Sequence, residues 1–431
     1  MPDIKSLYQN LRNEIAKIKV IDTHEHLLSE RLRQEEPESP FGLGYVNCDL
    51  CGAGITDAEA RLVENPGSDP NKAREIFLKY YPYIRTTGYG RSIARTLKDI
   101  FGIADLDEQS FDLLWEKIKT GITHGSYENW FQEKYNIEAV ILEVENDDEY
   151  PTLFHHSLSD AMDFVMVDNR DDLEDLERRS GCSIHSAGQL RDAMWSDLAQ
   201  RMELKKTVAL KNYLAYSRPI NFERTTLAEA DKSFGLLFAG KHPHYASSWL
   251  KTHHRSWDEM APLQNFLVHE SIRFAGDHNI VYQIHTGLQA GHTNEIADGR
   301  PSLLTNLFRE YREVKFVLFH GGFPYCREWG TLGKNFPNVY LDLCWMNIVS
   351  PATCVQMLDE WLDYVPNNKL FGFGGDLEMV ESIHGHLEQA RDNIARALAV
   401  KVDRGDYDKN TALEIAENML FNNPKSLYKL D

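Results

Sequence analysis

The stretch "VIDTHEHLL", residues 20–28, decides how this chain is read. A short apolar run ends in Asp22, Thr23, His24, Glu25 and His26. On a strand, alternate side chains share a face, so His24 and His26 point the same way. Two imidazoles on one face can hold one cation. A His-x-His pair alone is a weak signal, because two solvated histidines at a strand end read the same. Its weight depends on what the other strand ends carry.

Working outward, further short apolar runs recur along the chain: "EAVILEV" (138–144), "DFVMV" (163–167), "TVALK" (207–211), "IVYQIH" (280–285), "VKFVLFH" (314–320), "NVYLDL" (338–343) and "KLFGFGGD" (369–376). Most are rich in Val, Ile, Leu and Phe with little polar alternation, as in parallel strands buried on both faces. Helical patterns at 186–204, 262–279, 302–313 and 351–366 lie between them. Strands alternating with helices indicate an α/β fold, and eight units indicate a (β/α)8 TIM barrel of about 250 residues plus insertions. The alternative is an open doubly wound sheet; the first βα turn lacks the Gly-x-Gly-x-x-Gly of a dinucleotide-binding version.

Three parts follow. Residues 1–29 hold an N-terminal helix and the first strand. Residues 30–135 contain no clear buried strand and read as a helical insertion, which at the catalytic end of a barrel would act as a lid. Residues 136–431 form the remainder of the barrel, with a smaller excursion at 214–258.

The totals narrow the function classes. The 431 residues are 42% hydrophobic and 26% charged, with a net charge of -20. An acidic chain without a basic block argues against nucleic acid and against an anionic membrane surface. No run approaches the roughly 20 apolar residues of a membrane span, and the N-terminus has no signal-peptide pattern. A cytoplasmic protein acting on a small molecule is expected, with homo-oligomer formation left open. The six cysteines do not form a disulfide framework, and "CDLC" (48–51) lacks the second pair of a zinc site, so free thiols are expected.

Each informative run ends in a residue able to bind a metal or move a proton. These are His24 and His26 on the first, Lys211 on the fourth, His285 on the fifth, His320 on the sixth and Asp376 on the eighth. Singly, each reads equally well as a core histidine, a snorkelling lysine or a helix cap. Jointly, they sit where barrel strand ends converge on one mouth. Four imidazoles and a carboxylate suit Zn, Fe, Mn or Ni. Substrate pointers are Arg85, Arg91, Arg95, Tyr83 and Tyr89 in the insertion, and Tyr213 and Arg218 after the fourth run. Arginine forks suit carboxylates, and tyrosines suit sugar-like or aromatic ligands. The competing reading makes these arginines solvated or paired within the fold. His242, His244, His253 and His254 flank the mouth in sequence without a geometric reason to be ligands.

The order His-x-His, Lys, His, His, Asp on strands one, four, five, six and eight resembles the amidohydrolase superfamily. "IDTHEHL", "IHTG", "FHGG" and "FGGD" match its strand-end motifs, and "AENMLFNNPKSLYKL" with Asn418, Asn422 and Asn423 is similar to its closing helix. The long insertion resembles the uronate-isomerase-like branch. The resemblance implies a divalent metal, zinc first, held by His24, His26 and Asp376, with His285 in a one-ion site. A two-ion site would add a carboxylated Lys211 as bridge, with His285 and His320 on the second ion. In the one-ion site Lys211 would contact substrate. Catalysis would rest on Asp376 as the base for the attacking water, His320 polarising a carbonyl, and Lys211. The expected reaction is hydrolysis of a C–N or C–O bond in a small acidic molecule. The rivals are a sugar-acid isomerase, a metal-dependent decarboxylase and a non-enzymatic binding module.

Overall fold

The computed structural model describes residues 3–36, 38–143, 150, 152–159, 161–240, 244–245 and 252–430. Eight strands form one parallel sheet: β1 (Val20–Glu25), β2 (Ile137–Leu142), β3 (Phe154–Leu158), β4 (Thr207–Asn212), β5 (Val281–Ile284), β6 (Phe316–Leu318), β7 (Val339–Asp342) and β8 (Leu370–Phe371). Each pairs with the next in chain order. The segment after β8 returns to β1 through Asp376 N–H to His24 O (2.8 Å) and His26 N–H to Leu377 O (3.0 Å), closing a (β/α)8 barrel.

Both faces of the strands are buried, which is why the sequence shows so little alternation. Ile21, Ala139, Ile141, Ala209, Val281 and Val317 fill the barrel interior. Their neighbours Val20, Val140, Leu142, Leu210, Tyr282 and Leu318 face the helical shell, including Leu198, Leu263, Leu307 and Trp329. Burying apolar area on two faces contributes about 25 cal/mol per Å² on each.

The third strand corrects the sequence reading. The run 163–167 overlaps a helix, Ala161–Val165, and the strand is "FHHSL" at 154–158. That helix buries Ala161, Met162, Phe164 and Val165, so its composition mimics a buried strand. The true strand has His155, His156 and Ser157 in buried positions. A short apolar run does not distinguish the two states by periodicity. Val144, the last residue of the second run, lies outside the described residues.

Between β1 and β2 the chain is helical. Helices Val46–Gly52, Asp57–Glu64, Pro70–Ile84, Gly88–Asp99 and Glu108–Gly121 enclose a core of their own around Phe41, Phe77, Phe111 and Leu114, joined by Met379 of the barrel. Thr56 and Glu59 make a reciprocal capping box at one helix start. Helix Gly88–Asp99 lies against helix Val380–Arg404, where a Cβ on Gly385 would come within 2.0 Å of Ser92 O. Asp392 also accepts from Arg12 Nε (2.6 Å) and Arg95 Nη2 (2.8 Å), joining the N-terminal helix, the insertion and the last barrel helix. Asn423 Nδ2 donates to Asn367 O (2.7 Å) and Leu370 O (2.9 Å), fixing the C-terminal helix to β8. Among the described residues no helix is long and apolar enough to cross a membrane.

Candidate metal centre

The β1–β2 register shifts between Asp22 and Glu25, and both histidines of "THEH" reach the barrel mouth. His24 Nε2 lies 3.2 Å from His26 Nε2 and 3.3 Å from Asp376 Oδ1, and His26 Nε2 lies 3.0 Å from the same oxygen. Ligands of one ion with bonds of about 2.1 Å at tetrahedral or octahedral angles stand roughly 3.0–3.4 Å apart. The two imidazoles and the carboxylate therefore fit a divalent ion, both in donor type and in spacing.

Asp376 is a non-glycine residue at φ +57°, a left-handed conformation that needs support. The support comes from β1 and the insertion. Gly375 N–H donates to Asp22 Oδ1 (3.0 Å), Leu377 N–H donates to Glu25 Oε2 (2.7 Å), and Tyr45 Oη donates to Asp376 O. Burial pushes the Asp22 carboxyl up to about 6 and Glu25 well above the carboxylate range. Asp376 goes the other way: burial opposes its ionisation, but hydrogen bonds from His24 and His26 hold it well below its ordinary value.

His285 and His320 form a second edge. His285 Nε2 lies 2.9 Å from Leu288 O, His320 Nδ1 lies 3.0 Å from Cys344 O, and the remaining nitrogens are 2.9 Å apart. Burial lowers His285 to about 3 and, with His285 beside it, lowers His320 well below its ordinary value. Two neutral rings bring two N–H groups to three contacts. The His285–His320 edge is therefore where a further proton or cation would be accepted. His320 Nδ1 stands 3.9 Å from Asp376 Oδ2.

Lys211 Nζ, from β4, sits 3.0 Å from His24 Nε2 and 3.0 Å from Glu143 Oε2. Glu143, just past β2, had not been singled out in the sequence, although its place at a strand end was the available signal. Burial raises the Glu143 pKa; Lys211 and the two imidazoles of β1 outweigh this and hold it well below the carboxylate range. Tyr45 and Tyr216 were also missed. With Tyr213, His26, Lys211 and His285 they line a cavity of about 360 Å³ that ends on Asp376.

The arginines are elsewhere. Arg85 is exposed and pairs with Asp105 at 3.1 Å. Arg91 is exposed and reaches back to Thr87 O at 3.4 Å. Arg218 is buried, with Nη1 3.1 Å from Gln264 Oε1 and Nε 3.1 Å from Pro219 O. None lines the cavity, and Lys211 is the one lysine or arginine among its described lining residues. His253 is buried 3.3 Å from Asp168, and His242 lies outside the described residues.

An amidohydrolase family profile matches residues 219–430, from the excursion after β4 to the C-terminal helix. Protein fluG of Emericella nidulans is 33% identical over 179 residues, 40% of this chain; the match spans about a fifth (21%) of that protein's length. Three solved structures are similar over nearly the whole chain. Uronate isomerase from Thermotoga maritima superposes with a TM-score of 0.75 at 17% identity, covering 98% of this chain and 97% of that one. Glucuronate isomerase from Caulobacter crescentus gives 0.76 at 17%, covering 100% and 95%. A putative metal-dependent hydrolase from Lactobacillus casei gives 0.67 at 14%, covering 97% of each. Residues 219–430 thus match the amidohydrolase family, and the chain as a whole has the fold of the two uronate isomerases, with its strand-end residues gathered at one mouth.

Proposed function

We propose that the protein is a metal-dependent hydrolase that cleaves a C–N or C–O bond, as in an amide, lactone or ester, of a small molecule. The observation that carries this reading is the convergence of His24 Nε2, His26 Nε2 and Asp376 Oδ1 within 3.0–3.3 Å at the end of the cavity. These residues hold the ion, with zinc as the first candidate. When bound, it supplies Lewis acidity and lowers the pKa of a coordinated water toward about 7. Asp376 turns Oδ1 to the imidazoles and keeps Oδ2 to take the proton of the attacking water and pass it to the leaving group. His320 is not among the described residues that line the cavity, and its Nδ1 faces Cys344 O (3.0 Å), so the carbonyl-polarising role expected of it has no free N–H; it flanks Asp376 from the buried side. Tyr213 and Tyr216 form a wall that fits a flat or ring-bearing substrate.

The expectation of an acidic substrate rested on Arg85, Arg91 and Arg218 and loses that support, since none of them lines the cavity. Sugar-acid isomerisation is the second reading, favoured by the whole-length similarity to two uronate isomerases. Two panels at saturating zinc or manganese separate the readings: one of amides, lactones, esters and N-acyl amino acids, the other of uronates. Turnover confined to the first supports hydrolysis; aldose–ketose conversion of a uronate overturns it.

A further inference from the structure

The motif residues of β1 and the β8 end explain three donors to the ion. The backbone places a fourth group beside them. Glu143 N–H donates to Glu25 O (3.0 Å), which continues the β1–β2 ladder past Leu142 and sets Glu143 next to His24 and His26. Its Oε2 stands 3.0 Å from His24 Nε2 and 3.8 Å from His26 Nε2, and its side chain is only 9% exposed. The oxygen thus lies within reach of both imidazole nitrogens that approach Asp376. Its other close neighbour is Lys211 Nζ at 3.0 Å.

Resting on the metal-centre reading above, we propose that Glu143 is a fourth protein donor to the ion, and that Lys211 is its uncarboxylated ammonium counter-ion. Charge supports both halves. A divalent ion held by two neutral imidazoles and the Asp376 carboxylate keeps one positive charge in a buried site, and a second carboxylate neutralises it. The Lys211 ammonium, 3.0 Å from the same oxygen, orients Glu143 by a hydrogen bond and leaves a single positive charge on the centre. A carboxylated Lys211 would instead be an anion about 3 Å from the Glu143 carboxylate, with no cation between them from the protein. The arrangement favours one ion per chain. It also uses Lys211 for the site's charge and leaves substrate recognition to the aromatic wall.

Chelator competition with Zn²⁺, together with the Co²⁺ absorption spectrum, tests the proposal without any substrate. Wild type is expected to bind one ion. Glu143→Gln is expected to bind it more than about 100-fold more weakly, beyond the 10–100-fold typical of a group acting through a ligand, and with an altered Co²⁺ spectrum. The double variant Glu143→Gln with Lys211→Met removes the unpaired ammonium. If Glu143 only neutralised Lys211, this variant would regain near-wild-type affinity and spectrum, and the donor role would be overturned. Continued weak binding supports it. Circular dichroism of each variant distinguishes loss of a donor from loss of the fold; if Glu143→Gln does not fold, Glu143→Asp carries the same comparison. A carbamate carbon signal in wild type supplied with ¹³C-bicarbonate would overturn the Lys211 half. Failure of wild type to bind any ion would overturn the metal-centre reading itself, a result distinct from tight binding by both variants.

Discussion

At the scale of the residue, Asp376 is the test of chemistry apart from binding. Asp376→Asn keeps the shape and leaves an amide oxygen facing His24 and His26, but it has no proton-accepting carboxylate. With metal added back to saturation, its turnover is expected to fall 10²–10⁴-fold, the usual contribution of a general base. Turnover within a few-fold of wild type would pass the base role to the His285–His320 edge, where a further proton would be accepted. The residues at this scale were unequally legible. His24, His26, Lys211, His285, His320 and Asp376 could be found because each ends an apolar run, and their chemistry is uncommon at such places. Glu143 was hidden in an acidic stretch, where "EVENDDE" offers several carboxylates and no pattern that selects one. Arg218 was misread because sequence gives its distance from β4 and not its direction. The side chain turns back to Gln264 and backbone carbonyls, which satisfy its buried guanidinium.

At the scale of the element, the joints between helices carry the predictions. Asp392 lies where three helices meet. Burial opposes its ionisation, but hydrogen bonds from Arg95 and Arg12 win and hold its folded pKa below the ordinary value. A depressed folded pKa contributes stability that is present above the unfolded pKa of about 4 and is lost as pH falls through the folded value. Asp392→Asn is expected to lower the urea midpoint at pH 7 and to shrink the difference between pH 7 and pH 3; an unchanged difference would show that the cluster is not ionised as described. At the neighbouring joint, Gly385→Ala would set a methyl 2.0 Å from Ser92 O. Forced repacking of this kind costs typically 1–3 kcal/mol, read as a lower midpoint in urea. Most strands were legible at this scale because two buried faces leave an unbroken apolar run. β3 was not, because its place between β2 and β4 is set by backbone pairing, while His155, His156 and Ser157 give it no apolar signature. The helices of the insertion could be read from their periodicity. That they surround a separate core and deliver Tyr45 to Asp376 is a tertiary fact with no local signal.

At the scale of the whole molecule, the barrel brings β1, β4 and the β8 end to one point, and the insertion covers that point with Tyr45. An ion bound only by the folded chain should stabilise all of it. At an ion concentration 100-fold above Kd the gain is about 2.7 kcal/mol, so removing metal with a chelator is expected to lower Tm and restoring it to raise Tm. The central claim is that the mouth of this barrel is a metal site made by His24, His26 and Asp376. Elemental analysis of the purified chain beside the His24→Ala/His26→Ala double variant tests it most directly. The account predicts one divalent ion per wild-type chain and essentially none in the folded double variant; an equal metal content in the two proteins would contradict it.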